Sequence, residues 1–293
     1  MNDVMLEALM KGPLYNCYGC IGDPVVGNPT ERMFQNVFSK MKIAAKYLTF
    51  TVGREHLGTA VKGLDSLGFA GFNVTAPHKQ TIIPYLHGLS RSAEICGAVN
   101  TVYRDHGKLI GDNTDGKGFY ASLCQRIHTA EGKNFVIIGA GGAASAIATE
   151  LVLGKAKEIT IVNRTLDSAR RLANRLERIA DTRLAAAELS SPYAVSVKTD
   201  VVVQATTVGL FEPDRAIAVV YPKLEKPMYA CDVVFNPVET KFLKTAAAAG
   251  LETIDGLGML VNQGLVAFER WFGSAADPQV MRAALEEAFA VIG

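Results

Sequence analysis

The sequence lacks the marks of several protein classes. Lys and Arg number 30 against 29 Asp and Glu, so no charge excess draws the chain toward nucleic acid or an anionic membrane. Five cysteines, an odd count, argue against a disulfide scaffold. The apolar runs are far shorter than the roughly 20 residues that span a bilayer, and residues 1–12 lack a secretory signal pattern. We therefore expect a cytoplasmic protein with no membrane or nucleic-acid partner.

Cysteine and histidine are also too scattered to predict a metal site. Cys17 and Cys20 form one CxxC motif, but no second CxxC and no His pair follows it. Both cysteines lie in an apolar, aromatic run, where small side chains fill a strand. We predict no bound metal.

What the sequence does contain is an alternation of short β-rich runs with longer helical segments, which is typical of α/β proteins. One series begins near residue 14 and closes with a hairpin over 98–112, where Asp105-His106-Gly107-Lys108 is a natural turn. A second series begins at Asn134. The chain length suits two domains of ordinary size. We predict two α/β domains in tandem.

The last forty residues contain helix and no strand. One helix is predicted over 257–272, and a second begins where Asp277 is a good N-cap and Pro278 takes the first helical position. Helices without a sheet of their own must pack on another part of the chain. We expect them to cross back and brace the first domain.

A glycine cluster follows the first strand of the second series. Residues 135–138 form a buried apolar run, and Gly139, Gly141, Gly142 and Ala143 lead directly into a helix. Glycines permit a tight turn and a close backbone approach, and the helix N-terminus then faces a pyrophosphate. The pattern predicts a dinucleotide-binding turn in a Rossmann-type, doubly wound sheet.

The next strand indicates which dinucleotide is bound. It ends in Asn163-Arg164-Thr165, where an NAD-binding unit would usually place an acidic residue against the ribose hydroxyls. Arg164 can instead pair with a 2′-phosphate, and Asn163 and Thr165 can add hydrogen bonds. We therefore predict NADP as the cofactor.

Two further residues suggest proton transfer. Lys79 ends the segment NVTAPHK just after a strand, and Asp115 lies in GDNTDG at the start of a helix. Both are expected at edges facing a cleft between the domains. Hydride transfer from an alcohol needs a group that exchanges the hydroxyl proton, and Lys79 with a neighbouring Asp115 meets that need. A non-catalytic NADP-binding regulator is the alternative of a different class.

The whole chain from about residue 21 resembles the shikimate/quinate dehydrogenase family. The motifs that carry the resemblance, in chain order, are IGDPV, NVTAPHK, AVNTV, GDNTDG, GAGGAA, NRT, ATTVG, CDVVFNP and GLGMLVNQG. The resemblance implies an NADP-dependent oxidoreductase that interconverts shikimate and 3-dehydroshikimate in aromatic amino acid biosynthesis, as a monomer or homodimer.

The resemblance also implies roles for individual residues. Lys79 and Asp115 become the catalytic pair, Asn100 and Gln263 contact substrate hydroxyls, and Thr75 lines the same pocket. It further implies two functional domains. These are a substrate-binding and catalytic domain over 1–115 plus 262–293, and an NADP-binding Rossmann domain over 116–261.

Two positions depart from the family pattern. Members that use shikimate typically carry a Ser-x-Ser pair after the first strand to hold the substrate carboxylate, and this chain has Asn28-Pro29-Thr30. Phe235 stands where a tyrosine is usual, which removes a hydroxyl. Asn28 and Thr30 remain candidate substrate ligands. Quinate, an aminoshikimate or another cyclic hydroxy acid is therefore the alternative substrate.

Overall fold

The computed structural model describes residues 16–25, 28–179 and 181–292, with side chains as far as residue 289. The expectation drawn from residues 1–12 lies outside them. Contacts along the chain divide it into two compact units. The first holds the described residues up to Gly88, Val99–Gly111 and the chain from Phe268, and the second holds Leu89–Ala98 and Asp112–Ala267.

The first sheet is mixed and six-stranded. Its strands are β1 (Asn16–Gly22), β2 (Ala45–Thr51), β3 (Gly71–Val74), β4 (Gly88–Leu89), β5 (Thr101–Asp105) and β6 (Lys108–Asp112). They lie in the order β2-β1-β3-β5-β6-β4. Strand β1 is parallel to β2 and β3, and β3 is antiparallel to β5. The helices α1 (Thr30–Lys40) and α2 (Leu57–Ser66) connect the parallel strands, as the alternating pattern predicts.

The predicted hairpin is present at β5 and β6, which are neighbours in the sheet. Between them His106 and Gly107 have φ values of 47° and 79°. Two successive residues with positive φ give the turn whose twist matches a two-residue hairpin. The Asp-His-Gly-Lys sequence therefore sets this connection.

Aromatic side chains form much of the core of the first unit. Trp271 lies 4.9 Å from Tyr18 and 5.0 Å from Phe34 between ring centroids, and its Nε1 donates to the Val102 carbonyl at 3.0 Å. Trp271 belongs to α8 (Gly256–Phe272), and the next helix, α9 (Pro278–Ile292), packs on α1. The prediction that the C-terminal helices brace the first domain is confirmed for α9 and for the end of α8.

The second unit contains a parallel six-stranded sheet. Its strands are β7 (Asn134–Ile138), β8 (Glu158–Asn163), β9 (Arg183–Glu188), β11 (Val201–Gln204), β13 (Tyr229–Asp232) and β14 (Glu252–Ile254). They lie in the order β14-β13-β11-β7-β8-β9. A small two-stranded sheet joins β10 (Tyr193–Ala194) to β12 (Val219–Val220). Its helices, besides the start of α8, are α3 (Arg91–Cys96), α4 (Thr114–Ile127), α5 (Gly142–Leu153), α6 (Leu166–Leu176) and α7 (Lys241–Ala248).

Both faces of this parallel sheet are covered. Phe135 and Ile137 pack in the core that contains α5 and α6, while Val136 and Ile138 pack on the opposite side, against α7. Alternate side chains of a strand point to opposite faces, so a doubly covered strand must be apolar at every position. The run FVII satisfies that need, and the predicted α/β fold with a doubly wound sheet is confirmed.

Details of the fold differ from the expected bounds. Residues Leu89–Ala98 group with the second unit, although they fall inside the expected 1–115 segment. The reason is that α3 packs on α5, where Ser92 Oγ donates to Glu150 Oε1 at 2.5 Å.

Candidate active site

The glycine turn after β7 requires its first glycine. Gly139 has φ +123°, and a Cβ atom there would lie 2.6 Å from the Ala205 carbonyl oxygen. Its N–H donates to the Val162 carbonyl at 2.7 Å, which fixes the turn against the end of β8. Only glycine combines this backbone conformation with so close an approach.

The N-terminus of helix α5 has uncapped backbone amides and free space around it. Gly141 is the N-cap residue and no side chain caps the helix, so the first amides, including that of Ala143, lack an intrahelical partner. A Cβ atom on Gly141 or Gly142 would meet nothing within 4 Å. Unsatisfied amides and free space at a helix N-terminus suit a phosphate. The residues present therefore fit a dinucleotide pyrophosphate.

The end of β8 carries the residues predicted to read the 2′-phosphate. Asn163 Nδ2 donates to the Thr165 carbonyl at 3.0 Å, which shapes the turn before α6. Arg164 is exposed, and within the described part of the chain no carboxylate forms an ion pair with it. The exposed guanidinium can therefore meet an anionic ligand, and its role stays a prediction.

In the first unit, backbone bonds fix three predicted substrate-site residues. The Lys79 carbonyl accepts from Val99 N–H at 2.7 Å, and the Asn100 carbonyl accepts from Val74 N–H at 2.8 Å. Thr75 N–H donates to the Ile21 carbonyl at 2.9 Å. The segment after β3 is thus tied both to β1 and to the residues that precede β5. This brings Thr75, Lys79 and Asn100 into one region.

The buried Cys20 thiol links this region to the altered anchor. Asn28 Nδ2 donates to Cys20 Sγ at 3.3 Å, while Asn28 Oδ1 accepts from Thr30 N–H at 3.0 Å. Burial raises the pKa of the Cys20 thiol to about 12, and the nearby positive charge of Lys79 opposes that shift. Asn28 and Thr30 therefore lie close to Lys79 in the fold.

Sequence reasoning missed two polar residues here. The Tyr47 hydroxyl donates to Asn73 Oδ1 at 2.6 Å, and Asn73 Nδ2 donates to the Asn100 carbonyl at 3.2 Å and to Thr101 Oγ1 at 2.9 Å. Burial raises the pKa of the Tyr47 hydroxyl well above its usual value. Asn73 could have been found as a polar residue in the buried strand before Lys79. Tyr47 carries no comparable signal.

The second unit positions Asp115 and Gln263. Asn113 caps α4, its Oδ1 accepting from Asp115 N–H at 3.2 Å. Thr114 Oγ1 donates to Gln263 Oε1 at 3.3 Å. Asp115 and Gln263 are therefore on neighbouring helices of one unit, whereas Lys79 and Asn100 belong to the other. The pairing of Lys79 with Asp115 stays a prediction.

A buried carboxylate that sequence reasoning also missed stabilises the start of α4. Asp112 is fully buried, and Lys117 Nζ lies 2.6 and 2.7 Å from its two oxygens. Ser90 Oγ and the Asn113 N–H donate to the same carboxylate. These bonds hold the segment that carries Asp115.

Three further features of the described chain concern metal sites, disulfides and membrane-spanning helices. No group of three or more metal-ligating side chains occurs within residues 16–25, 28–179 and 181–292. No disulfide joins any of the five cysteines, all of which are described. None of the helices over the same residues is long and apolar enough to cross a membrane.

The second unit has a doubly wound parallel sheet with an open glycine turn, and the first is an α/β unit that carries Lys79. Together they define the class of two-domain, dinucleotide-dependent oxidoreductases. Three family models support this class. The shikimate dehydrogenase substrate-binding domain matches residues 20–102, shikimate/quinate 5-dehydrogenase matches 122–247, and the shikimate 5′-dehydrogenase C-terminal domain matches 256–286. The chain belongs to the shikimate dehydrogenase family, which confirms the resemblance and the predicted enzyme class.

Individual relatives align over nearly the whole chain. Shikimate dehydrogenase (NADP(+)) of Desulforamulus reducens is 38% identical, over 92% of this chain and 94% of its own. The ligand-free 5-ketofructose reductase of a Gluconobacter strain is 41% identical, with a TM-score of 0.90 over 94% and 99% of the two chains. Shikimate 5-dehydrogenase of Thermus thermophilus, solved with NADP(H) and shikimate, is 30% identical, with a TM-score of 0.80 over 93% and 99%.

Proposed function

We propose that the protein transfers hydride reversibly between NADP(H) and a ring carbon of shikimate and 3-dehydroshikimate. The observation that carries the proposal is the open glycine turn at α5, in a chain that aligns over 92% of its length with an NADP-dependent shikimate dehydrogenase. The proposal keeps the predicted small-molecule substrate, the cytoplasmic location and a monomer or homodimer. It places the enzyme in aromatic amino acid biosynthesis.

Each predicted residue has a chemical task in this reaction. The amides at Gly141 and Gly142 bind the pyrophosphate, and bound NADP(H) supplies or accepts the hydride. Lys79 takes the proton of the substrate hydroxyl as the ketone forms and returns it in the reverse direction. Asp115 orients that lysine and the hydroxyl. Thr75, Asn100 and Gln263 hold the other substrate hydroxyls.

The test is NADP+ reduction by shikimate, followed by absorbance, in wild type and Lys79→Ala. We expect turnover to fall by about a hundredfold or more, the usual contribution of a general acid–base group, with NADP+ affinity unchanged because the glycine turn is in the other unit. Lys62→Ala, which removes an exposed lysine on α2, is the matched control and should act as wild type. Turnover of Lys79→Ala within a few-fold of wild type would remove Lys79 from the mechanism.

A second candidate function is reduction of an uncharged keto sugar, as named for the Gluconobacter relative. Two observations favour it. That relative is more similar in sequence and structure than the shikimate-bound enzyme of T. thermophilus, and both ends of the Asn28 side chain are engaged within the protein. A carboxylate needs several strong donors to offset its lost hydration, whereas a hydroxyl needs far less.

A direct comparison separates the two candidates. NADPH oxidation would be measured with 3-dehydroshikimate and with 5-ketofructose under the same conditions. A kcat/KM at least tenfold higher for 3-dehydroshikimate supports the first function, and the reverse ratio supports the second. Activity with neither compound would contradict both.

A further inference from the structure

A cavity of about 430 Å³ opens in the second unit at the amino ends of its parallel strands. Its lining includes the first residue of each of β7, β8 and β9, namely Asn134, Glu158 and Arg183. The glycine turn follows the carboxyl end of β7, and a five-residue strand spans about 15 Å at roughly 3.3 Å per residue. The cavity therefore lies at the amino ends of the strands, and the predicted cofactor site lies at the carboxyl ends of the same sheet.

Four cationic side chains line the cavity, and two of them are paired. Lys226 Nζ lies 2.5 Å from Asp200 Oδ1, and Arg183 Nη1 lies 3.7 Å from Glu158 Oε2. These pairs neutralise their own charges. The net positive charge of the cavity therefore comes from the remaining two cations.

The remaining cations are Lys157 and Lys198, which are both exposed. Across the described residues, no carboxylate lies within ion-pair distance of either ammonium group. Two uncompensated positive charges at one concave surface attract a ligand with two negative charges. Neither ammonium group forms a hydrogen bond with a described residue, so both are available to bind a ligand.

The surrounding wall is fixed and offers neutral donors. Asn134 Nδ2 donates to the Lys198 carbonyl at 2.9 Å, which holds the backbone that carries this lysine. Tyr193 lines the cavity, and burial raises the pKa of its hydroxyl, so the group stays protonated and can donate. Thr160 and Ser196, which also carry hydroxyl groups, line the same cavity. Ligand cavities of this kind range from about 300 to 1,000 Å³.

We propose that this cavity binds a small organic dianion, that is, a metabolite with two acidic groups such as carboxylates or phosphates. Its two charges match Lys157 and Lys198, and the hydroxyl groups of the wall hydrogen-bond its oxygens. The site is separate from the hydride-transfer site, so the proposal does not depend on the proposed reaction.

The test is calorimetric titration of the 293-residue chain saturated with NADP+, which is expected to occupy the glycine turn. Succinate and inorganic pyrophosphate are the probes, since they distinguish carboxylate from phosphate ligands, and succinamide is the uncharged control. We expect saturable binding of one equivalent of at least one dianion and none of succinamide. Affinity should fall as ionic strength rises from 10 to 150 mM, because the screening length shortens from about 30 to about 8 Å.

Variants locate the site. Lys157→Gln with Lys198→Gln should weaken binding at least tenfold, whereas Lys157→Arg with Lys198→Arg should retain it. Lys62→Gln with Lys244→Gln changes the net charge equally at two exposed lysines outside the cavity, and should bind as wild type. Binding of neither dianion below 10 mM, or equal weakening by both glutamine pairs, would overturn the proposal.

Discussion

Asn28 and Thr30 stand where shikimate-using relatives are expected to place serines. Because the Asn28 amide is bound to Cys20 and to the Thr30 N–H, it cannot turn toward a carboxylate without breaking one of these bonds. We predict that Asn28→Ser with Thr30→Ser lowers the KM for shikimate by about tenfold to a hundredfold, the scale of one or two charge-assisted hydrogen bonds. The measurement is steady-state kinetics at saturating NADP+.

The same double variant should leave the NADP+ affinity unchanged, because the substitutions lie in the first unit and the glycine turn in the second. Cys20→Ala is a useful companion, since it removes the acceptor of the Asn28 Nδ2 hydrogen bond and leaves the Oδ1 bond to the Thr30 N–H in place. A wild-type enzyme that already binds shikimate with a micromolar KM would contradict this prediction.

Asp232 is a buried carboxyl in the second unit, and ionising it destabilises the folded protein. Burial raises its pKa to about 6, although Thr240 Oγ1 and the Val234 N–H donate to it. An unfolded Asp titrates near 3.9. Between about pH 3.9 and about pH 6, Asp232 is protonated in the folded protein and ionised in the unfolded chain. The free energy of unfolding must therefore fall as the pH rises through this range.

We therefore predict that, from pH 4 to pH 6, the free energy of unfolding of wild type falls relative to Asp232→Asn by an amount on the order of 2 kcal/mol. Urea titrations at several pH values measure this difference. Asp200→Asn serves as a comparison, since that carboxylate is paired with an exposed lysine. A difference that is flat or rises over this range would be inconsistent with a raised pKa at Asp232.

At the scale of elements, the turn between β7 and α5 joins the sheet to the cofactor site. We predict that Gly139→Ala weakens NADPH binding at least tenfold, because the new Cβ meets the Ala205 carbonyl and the φ of +123° is strained for alanine. Fluorescence titration with NADPH measures the affinity.

Gly63→Ala is the matched control for that substitution. Gly63 lies within α2, where a Cβ meets nothing within 4 Å, so alanine should stabilise the helix by about 0.5–1 kcal/mol and leave NADPH binding unchanged. Wild-type affinity in Gly139→Ala would show that the turn tolerates a side chain.

How far the sequence predicts each element depends on where its stabilising contacts come from. The strand of residues 135–138 and its glycine turn are predictable, because their apolar run and conformational needs are local. Strand β9, with the sequence RLAAAE, gives no such signal. It is an edge strand that pairs only with β8, and none of its residues is fully buried. Its structure depends on a neighbour, which local patterns do not encode.

The residues of the candidate active site likewise divide into those with a local sequence signal and those that depend on distant contacts. Lys79, Asp115 and the glycines fall in compact motifs, so the sequence indicates them. The Tyr47–Asn73 hydrogen bond joins residues 26 positions apart and depends on the register of β2, β1 and β3. Nothing local to Tyr47 predicts it.

At the scale of the whole molecule, the chain returns to its first unit after completing its second. Trp271, near the end of α8, fills space that only glycine leaves free, since a Cβ on Gly71 would lie 2.1 Å from its Nε1. The chain contains no other tryptophan, so its fluorescence reports on the first unit. The first unit should therefore depend on the C-terminal segment for its stability, while the cofactor site does not.

We predict that Trp271→Ala destabilises the first unit by about 3 kcal/mol, the lower end of the cost of removing a large aromatic side chain from a core, because this residue is only half-buried. Trp271→Phe keeps a ring against Tyr18 and Phe34 but loses the bond to the Val102 carbonyl, so it should cost less than half as much. Urea unfolding followed by circular dichroism measures both, and NADPH titration should give wild-type affinity in each variant. Equal stability of Trp271→Ala and wild type would show that the C-terminal segment does not brace the first unit, whereas loss of NADPH binding in Trp271→Ala would show that the two units do not fold independently.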